Sequence, residues 1–144
     1  MAKSAGKRAA RAKNTKPHLV FVSHATYDKW IAKVLCEKLE SVSVGAKTFR
    51  DDRDIDGGAS IPETIKARIR ECSELLVLLT PESIHRDWIK LEIGMAEILD
   101  KRIIPVLYHV EPENIVGILR DRRAFRLDEL DDYLRDVRKR VRGL

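Results

Sequence analysis

An uninterrupted run of five apolar residues, Leu75–Leu79, constrains the fold more than any other segment of the sequence. Thr80 and Pro81 bring this run to an end. A strand that is apolar at every position is typical of the centre of a parallel sheet with both faces covered. The run therefore predicts a buried central strand in a domain with helices on both sides of its sheet.

Shorter apolar runs alternate with helical patterns on either side of that strand. Further strands are predicted at Leu19–Val22, Lys47–Phe49 and Ile103–Leu107, with a short edge strand near Phe125–Leu127. Pro105 lacks an amide hydrogen, so its strand is expected near the sheet edge or bulged there. Strands that alternate with helices imply a parallel sheet. We expect an α/β fold, namely a flavodoxin-like three-layer sandwich with a parallel five-stranded sheet in the order 2-1-3-4-5 and helices on both faces.

Four main helices are predicted around these strands. Thr26 or Asp28 can cap the first helix, and Ser60 begins a capping box for the second. The third is expected to span residues 87–100. The last should begin at Asp128, with acidic residues early and basic residues late, as the helix dipole favours. Apolar residues recur at helical spacing in the first helix: Trp30, Ile31, Val34, Leu35 and Leu39. The third helix is expected to direct four residues inward: Ile89, Ile93, Ala96 and Leu99.

The net charge of +5 on the 144 residues is concentrated at the N-terminus. Residues 1–16 hold six basic residues and no acidic one, which leaves 22 basic and 23 acidic residues in residues 17–144. We expect residues 1–16 to form a disordered basic tail and residues 17–144 to form one domain. A domain that is close to neutral argues against specific binding of nucleic acid.

Other features exclude several classes of protein. No apolar run approaches the ~20 residues that a membrane span needs, and residues 1–16 lack the apolar segment of a secretory signal. Cys36 and Cys72 show neither metal-ligand spacing nor a disulfide framework, so we expect buried thiols in a reducing cytoplasm. The four histidines show no paired ligand spacing. We therefore expect no metal site and no bound cofactor.

Ligands of such folds bind outside the carboxyl ends of the strands. Polar and aromatic residues and one glycine pair, Gly57–Gly58, follow the predicted strands. The polar and aromatic residues are Ser23, His24, Arg50, Asp51, Thr80, Trp88, Glu92, Tyr108 and His109. The first strand is not followed by a G-x-G-x-x-G motif and the chain has no Walker lysine loop, which disfavours the usual dinucleotide and P-loop chemistries. The residues after strands one and three also lack the acidic groups of a phosphate-receiver domain.

Three segments resemble the motifs of TIR (Toll/interleukin-1 receptor) domains, in the order that this family has them. Phe21–Ala25 is similar to the first-strand motif, and Phe49–Asp52, leading to Gly57–Gly58, looks like the second strand and the BB loop. Asp87–Glu92 resembles the W-x-x-x-E helix. The resemblance covers about residues 18–142. The chain departs from the family pattern where Gly57–Gly58 replaces the usual Pro-Gly, and it lacks a clear aromatic motif near its C-terminus.

A lone small TIR domain is similar to bacterial and archaeal members, many of which consume NAD+. The resemblance implies that Glu92 is the catalytic residue, because the glutamate of the W-x-x-x-E helix has that role in catalytic members. It also implies that Ser23, His24, Asp51 and Trp88 bind the substrate. NAD+ would then be a substrate and not a cofactor, cleaved to nicotinamide and ADP-ribose or a cyclic ADP-ribose product.

The resemblance implies partners as well. Asp56, Gly57 and Gly58 belong to the segment that resembles the BB loop, which docks on a neighbouring TIR domain and shapes the active site during assembly. The expected partners are NAD+, other TIR domains in a homo-oligomer or filament, and a separate sensor protein. The expected setting is antiphage defence in the cytoplasm.

Two other functions are compatible with these residues. A non-catalytic TIR module would act through TIR–TIR contacts alone, and an enzyme similar to nucleoside deoxyribosyltransferases would exchange nucleoside bases. On a purely structural interpretation, Glu92 is a solvated helix residue in a surface ion pair and Trp88 belongs to the core. Ser23 then begins a helix and Asp51 forms a turn. Release of nicotinamide from NAD+ separates the catalytic function from both alternatives.

Overall fold

Five parallel strands form the central sheet, in the order β2-β1-β3-β4-β5. The computed structural model describes residues 18–42, 45–48, 63–114, 117–119 and 121–142. The strands are β1 (Leu19–Ser23), β2 (Gly45–Thr48), β3 (Glu74–Leu79), β4 (Arg102–Leu107) and β5 (Phe125–Arg126). Each neighbouring pair of strands runs parallel. The prediction of an α/β fold built on a parallel sheet is confirmed.

Helices cover both faces of this sheet: α1 (Lys29–Ser41), α2 (Glu63–Glu71), α3 (Asp87–Ile98) and α4 (Leu130–Val141). Helices α1 and α4 pack on one face, against a core that includes Val22 and Leu76. Helices α2 and α3 pack on the other face, against a core that includes Phe21 and Val77. All six residues of β3 are buried, as expected of a strand that is covered on both sides.

Pro105 lies in β4, one strand away from the edge of the sheet. It is paired with Val77 of β3, whereas the pairing of β4 with β5 begins one residue later, between Val106 and Phe125. The missing amide hydrogen of Pro105 therefore removes no ladder hydrogen bond to β5. This position agrees with the predicted place of a proline near the edge of a sheet.

One prediction about a helix face is wrong, and one helical pattern has two sides. Leu99 is predicted to face inward, but it is 41% exposed because α3 ends at Ile98 and the chain turns through Asp100, whose φ is 54°. In α1, Trp30 and Val34 fit the helical spacing but are 64% and 41% exposed. The apolar residues of α1 thus lie on two stripes, and only one of them packs against the sheet.

The predicted helix starts also need correction. Asp28 occupies the N-cap position of α1 but does not cap the helix by a side-chain hydrogen bond, and a 3-10 turn at Thr26–Asp28 precedes the helix. The last α-helix begins at Leu130 and not at Asp128, since another 3-10 turn covers Leu127–Glu129.

Three further expectations concern single residues. Cys72 is buried, whereas Cys36 is only half-buried, so the prediction of two buried thiols is correct for Cys72 alone. The proposed cap Ser60 and the strand residue Phe49 lie outside the described residues. Within the described part of the chain, none of the helices combines the length and apolar character needed to cross a membrane.

A buried carboxylate at the amino edge of the sheet ties α4 to β3. Glu74, which is 1% exposed, accepts hydrogen bonds from Arg140 Nε at 3.0 Å, from Arg140 Nη2 at 2.7 Å and from the Tyr133 hydroxyl at 3.3 Å. Its Oε2 also lies 2.6 Å from His18 Nε2. Burial raises the pKa of the Tyr133 hydroxyl, and the charge of Glu74 raises it further, so this hydroxyl stays protonated and donates. We call these four residues the Glu74 cluster.

Candidate active site

The carboxyl ends of β1 and β3 bring polar residues from distant parts of the sequence to one edge of the sheet. Ser23, the last residue of β1, is paired with Val77 of β3. His24 and Thr80 follow the ends of these two strands, and neighbouring strands lie about 4.8 Å apart. The structure therefore places Ser23 and His24 beside the start of the loop that leads from β3 to α3. This is the edge where ligands bind in open α/β sheets.

Ser23 and His24 are almost fully buried but carry side-chain atoms that lack a hydrogen-bond partner within the described part of the chain. Their exposed fractions are 1% and 2%, and the atoms concerned are Ser23 Oγ and His24 Nε2. His24 Nδ1 lies 2.8 Å from the Ala25 carbonyl oxygen. Since a carbonyl oxygen only accepts, Nδ1 carries the hydrogen, and Nε2 of the neutral ring is an acceptor. Each buried atom without a partner costs about 1–3 kcal/mol, so these two atoms suit contacts with a ligand.

A second polar group at the same edge fixes the loop between β3 and α3. The Thr80 hydroxyl donates to Asp28 Oδ2 at 2.5 Å, and the Ser83 hydroxyl donates to the Leu78 carbonyl at 2.7 Å. Ser83 Oγ also accepts from the Thr80 amide at 2.9 Å. Asp28, Thr80 and Ser83 are all buried. This network joins the start of α1 to the loop that precedes α3, so it helps to determine where α3 begins.

Helix α3 starts at this edge and carries Trp88 and Glu92. Trp88 is 8% exposed and packs in the core between α3 and the sheet, which agrees with the structural interpretation of this residue. Glu92 is 3% exposed, so the interpretation of Glu92 as a solvated surface residue is wrong. Its position five residues after Asp87 places it about 7.5 Å along the helix axis from the start of α3. Burial of a carboxylate is unfavourable, and functional sites are among the places where proteins accept that cost.

Other residues predicted for the site lie outside the described part of the chain. They are Asp51 of the polar segment after β2 and Asp56, Gly57 and Gly58 of the segment that resembles the BB loop. Their assigned roles therefore stay predictions. Among the described residues, histidine, cysteine, aspartate and glutamate do not gather in groups of three as a metal site would require.

The carboxyl ends of β4 and β5 contribute a cavity of about 460 Å³. Tyr108 and His109, predicted to follow the fourth strand at this edge, both line it, together with Arg126 and Asp128. The rings of Tyr108 and His109 are in contact, with centroids 4.2 Å apart, and His109 has a φ of 56°. Such backbone conformations are uncommon for residues other than glycine and occur often at functional sites. The edge thus offers a concave surface beyond Ser23 and His24.

The thiols do not add a nucleophile to this site. Burial raises the pKa of both Cys36 and Cys72 to about 11. For Cys36, the charges of Glu40 and Glu37 contribute to this raised pKa after burial. Since the thiolate is the reactive form, both residues are unreactive near neutral pH.

Sequence reasoning predicted Ser23, His24, Trp88 and Glu92 as site residues but did not predict Asp28 as a member of the buried polar group. Asp28 was interpreted as a possible helix cap, so its side chain already had an assigned role. Its hydrogen-bond partner Thr80 lies 52 residues away in the sequence. The available signal was the hydroxyl side chain of Thr80 directly after the apolar run. Such a group, placed at the end of a buried strand, needs a partner from another element.

Comparison with known proteins agrees with this geometry. A family model of the TIR domain matches residues 20–141. A Brachypodium distachyon protein described as a probable 2′ cyclic ADP-D-ribose synthase, BdTIR, is 26% identical over 99 residues. The match spans 67% of this chain and 43% of that protein, so the chain covers less than half of its relative's length.

Solved structures that share the fold include two with different functions in their descriptions. The TIR domain of the Toll-related receptor TRR-2 from Hydra magnipapillata has a TM-score of 0.63 and 23% identity, covering 85% of this chain and 97% of that one. The Clostridium botulinum CMP N-glycosidase BcmB has a TM-score of 0.54 and 20% identity, covering 83% of this chain and 96% of that one. At these identities the likeness concerns the fold alone. The family match extends over most of the chain, from β1 to the end of α4, and the chain therefore belongs to the TIR-domain family.

Proposed function

We propose that this TIR domain cleaves NAD+ at the bond between nicotinamide and ribose. The burial of Glu92 on the helix that resembles the family's W-x-x-x-E helix is the observation that carries the proposal. The relative described as a probable 2′ cyclic ADP-D-ribose synthase supports the same chemistry. The products are nicotinamide and either ADP-ribose or a cyclic ADP-ribose isomer.

The reaction needs one carboxylate and no general acid. When the glycosidic C–N bond breaks, its electron pair moves to the cationic pyridinium ring, and nicotinamide leaves as a neutral molecule. The ribose carbon becomes cationic in character, and the Glu92 carboxylate stabilises that charge and orients the ribose hydroxyls. Addition of water then gives ADP-ribose and one proton, whereas attack by a nucleophile of the same molecule gives a cyclic product. Most glycosidases need two carboxylates because their leaving groups must be protonated.

Ser23 and His24 supply contacts to the substrate in this proposal. Ser23 Oγ donates or accepts a hydrogen bond, and neutral His24 accepts one at Nε2. Both atoms are buried at the carboxyl edge without a partner in the described part of the chain, so substrate polar groups would satisfy them. Asp51 retains its predicted role in substrate binding, whereas Trp88 packs in the core and is assigned a structural role.

Ser23→Ala is expected to reduce the rate of NAD+ cleavage by about tenfold. This factor corresponds to the loss of one hydrogen bond that contributes about 1.4 kcal/mol. The same change should leave Tm unchanged or raise it, because it removes a buried hydroxyl without a partner. Ser83→Ala is the matched control, since Ser83 is equally buried but its hydroxyl donates to Leu78 and accepts from Thr80. Thermal unfolding should show that only Ser83→Ala lowers the free energy of unfolding, by about 1–3 kcal/mol. Equal destabilisation by both changes, or full activity of Ser23→Ala, would contradict this assignment.

We also propose that assembly of several copies activates the domain. Tyr27, Trp30 and Val34 lie at spacings of three and four residues, so they form one stripe, and they are 73%, 64% and 41% exposed. A contiguous apolar stripe on a surface suits a protein contact. Nicotinamide release per copy should therefore rise with protein concentration between about 1 and 100 μM. A rate per copy that stays constant over that range would show that single copies are fully active.

Deletion of residues 1–16 is expected to leave NAD+ cleavage within about twofold of the full chain. The deleted residues hold six basic side chains and no acidic one, and β1 begins only at Leu19, on the amino edge of the sheet. The candidate site lies at the carboxyl edge. Nicotinamide release by the two chains at equal concentration measures the effect, and a loss of tenfold or more would show that the tail contributes to the reaction.

The proposed setting is antiphage signalling in a prokaryotic cytoplasm, with a separate sensor as the trigger. The motivation is the resemblance of the motif segments to the TIR family, many bacterial and archaeal members of which consume NAD+. Cells that express the chain together with its sensor should lose NAD+ after phage infection but not before it. Equal NAD+ levels in infected and uninfected cells would reject this setting without affecting the proposed reaction.

A further inference from the structure

A cavity of about 670 Å³ opens at the amino edge of the sheet, opposite the candidate active site. It lies where β4 and β5 begin and where α3 and α4 end. Four arginines from these segments line it: Arg102, Arg122, Arg123 and Arg140. Three carboxylates line it as well: Glu97, Asp121 and Asp136. The cavity is thus larger than the one beside the candidate active site and differs from it in chemistry.

Two of the four guanidinium groups are held in place by carboxylates and still have unused donors. Arg122 Nη2 forms an ion pair with Glu97. Arg140 donates from Nη1 to Asp136 at 2.5 Å and from Nε and Nη2 to Glu74. An arginine has five N–H donors, so Arg140 keeps two and Arg122 keeps more. These ion pairs fix the side chains at the cavity wall without exhausting their capacity for hydrogen bonds.

The other two guanidinium groups have no carboxylate partner among the described residues. Arg102 is exposed at the start of β4, and Arg123 lies over the Phe125 ring at 4.9 Å from its centroid. Asp121 is the one lining carboxylate outside the ion pairs of the described residues. Glu74 also compensates Arg140 from behind the cavity wall, so Arg102 and Arg123 are the two lining cations with the least compensated charge. The ring contact orients Arg123 in advance, which lowers the cost of binding an anion.

We propose that this arginine-lined cavity binds a nucleotide-sized ligand through its phosphate groups. Guanidinium groups present paired N–H donors that match the oxygens of phosphate. The volume lies within the range of about 300–1,000 Å³ that is usual for small-molecule sites, whereas an inorganic ion would occupy only a small part of it. The ligand class is therefore a nucleoside phosphate, bound at the edge of the sheet away from Glu92.

Calorimetric titration of the full chain with ADP tests the site, with adenosine as the probe that lacks phosphate. ADP should bind and adenosine should not. The double variant Arg102→Gln, Arg123→Gln should weaken ADP binding by at least about tenfold, because each substitution removes a charged hydrogen-bond donor to the phosphate groups. The matched control is Arg135→Gln, Arg138→Gln, which removes the same charge from exposed arginines of α4 that do not line the cavity. The control should bind ADP as the wild type does.

The Arg102→Gln, Arg123→Gln variant separates this inference from the proposed function, because it should lose ADP binding but keep the wild-type rate of nicotinamide release, whereas failure of the proposed function would leave ADP binding by the wild type intact. Thermal unfolding of each variant checks that the fold is retained. Absence of ADP binding by the wild type at millimolar concentration would overturn the proposal. So would equal ADP affinity of the Arg102/Arg123 variant and the control, because binding would then occur at the basic tail or at the carboxyl edge.

Discussion

Glu92→Gln is expected to reduce nicotinamide release from NAD+ by roughly 10²–10³-fold, the loss that follows removal of one preorganised group that stabilises transition-state charge. Glutamine keeps the shape of the side chain but removes the negative charge that faces the ribose carbon as the C–N bond breaks. The low exposure of Glu92 strengthens this effect, because water screens the charge poorly at a buried position. Steady-state assays of nicotinamide release under assembling conditions measure the change.

Two further variants make this prediction specific. Glu40→Gln removes the same charge from an exposed position near the end of α1 and should leave the rate within about twofold. Glu92→Asp keeps the charge but withdraws it by one methylene, so its rate should lie between those of the wild type and Glu92→Gln. Tm values show whether each variant is folded. A fully active Glu92→Gln enzyme would remove Glu92 from the mechanism and favour the non-catalytic TIR module.

Glu74→Gln is expected to have the largest effect on stability and to lower the free energy of unfolding by about 3 kcal/mol. The change leaves Arg140, whose side chain is only 18% exposed, without its main charged partner inside the Glu74 cluster. Arg140 keeps its contact with Asp136, which is 41% exposed, and this contact limits the loss to the lower part of the range for a broken buried pair. For a domain of this size the loss corresponds to a fall of roughly 10 °C in Tm, which differential scanning calorimetry measures.

The Glu74 prediction has a matched control and a rescue. Glu71→Gln removes the same charge three residues earlier, where the side chain is 60% exposed and lies 3.7 Å from Arg68, so it should cost less than about 1 kcal/mol. Arg140→Met combined with Glu74→Gln should recover part of the loss, because no charge is then buried without a partner. If Glu74→Gln and Glu71→Gln unfold at the same temperature, the Glu74 cluster does not stabilise the fold. NAD+ cleavage at low temperature should persist, since the cluster lies at the opposite edge from Glu92.

The parts of the fold that were predictable depend on local pattern. The apolar run Leu75–Leu79 predicted the central strand because burial on both faces leaves no polar position. The position of Glu92 on the helix after that strand followed from the resemblance of Asp87–Glu92 to a family motif, since the spacing of residues 88 and 92 fixes one helix face. Both inferences use residues that are close in sequence.

The parts that were not predictable depend on contacts between distant residues. Glu74 bonds to residues 56, 59 and 66 positions away, and local sequence gives no sign that a glutamate beside an apolar run is buried. Helical periodicity also treats Trp30 as equivalent to its buried neighbours, although the sheet covers only one stripe of α1. The arginine-lined cavity likewise forms only where four separate elements meet.

The most direct test of the account is nicotinamide release from NAD+ by the wild-type chain and by Glu92→Gln, measured side by side by chromatography at the same high protein concentration. The account predicts one nicotinamide for each NAD+ lost in the wild type, with ADP-ribose or a cyclic isomer as the second product. Release by Glu92→Gln should be lower by at least about 100-fold. No release by the wild type in its assembled form, or equal release by the two proteins, would contradict the assignment of this TIR domain as an enzyme that acts through Glu92.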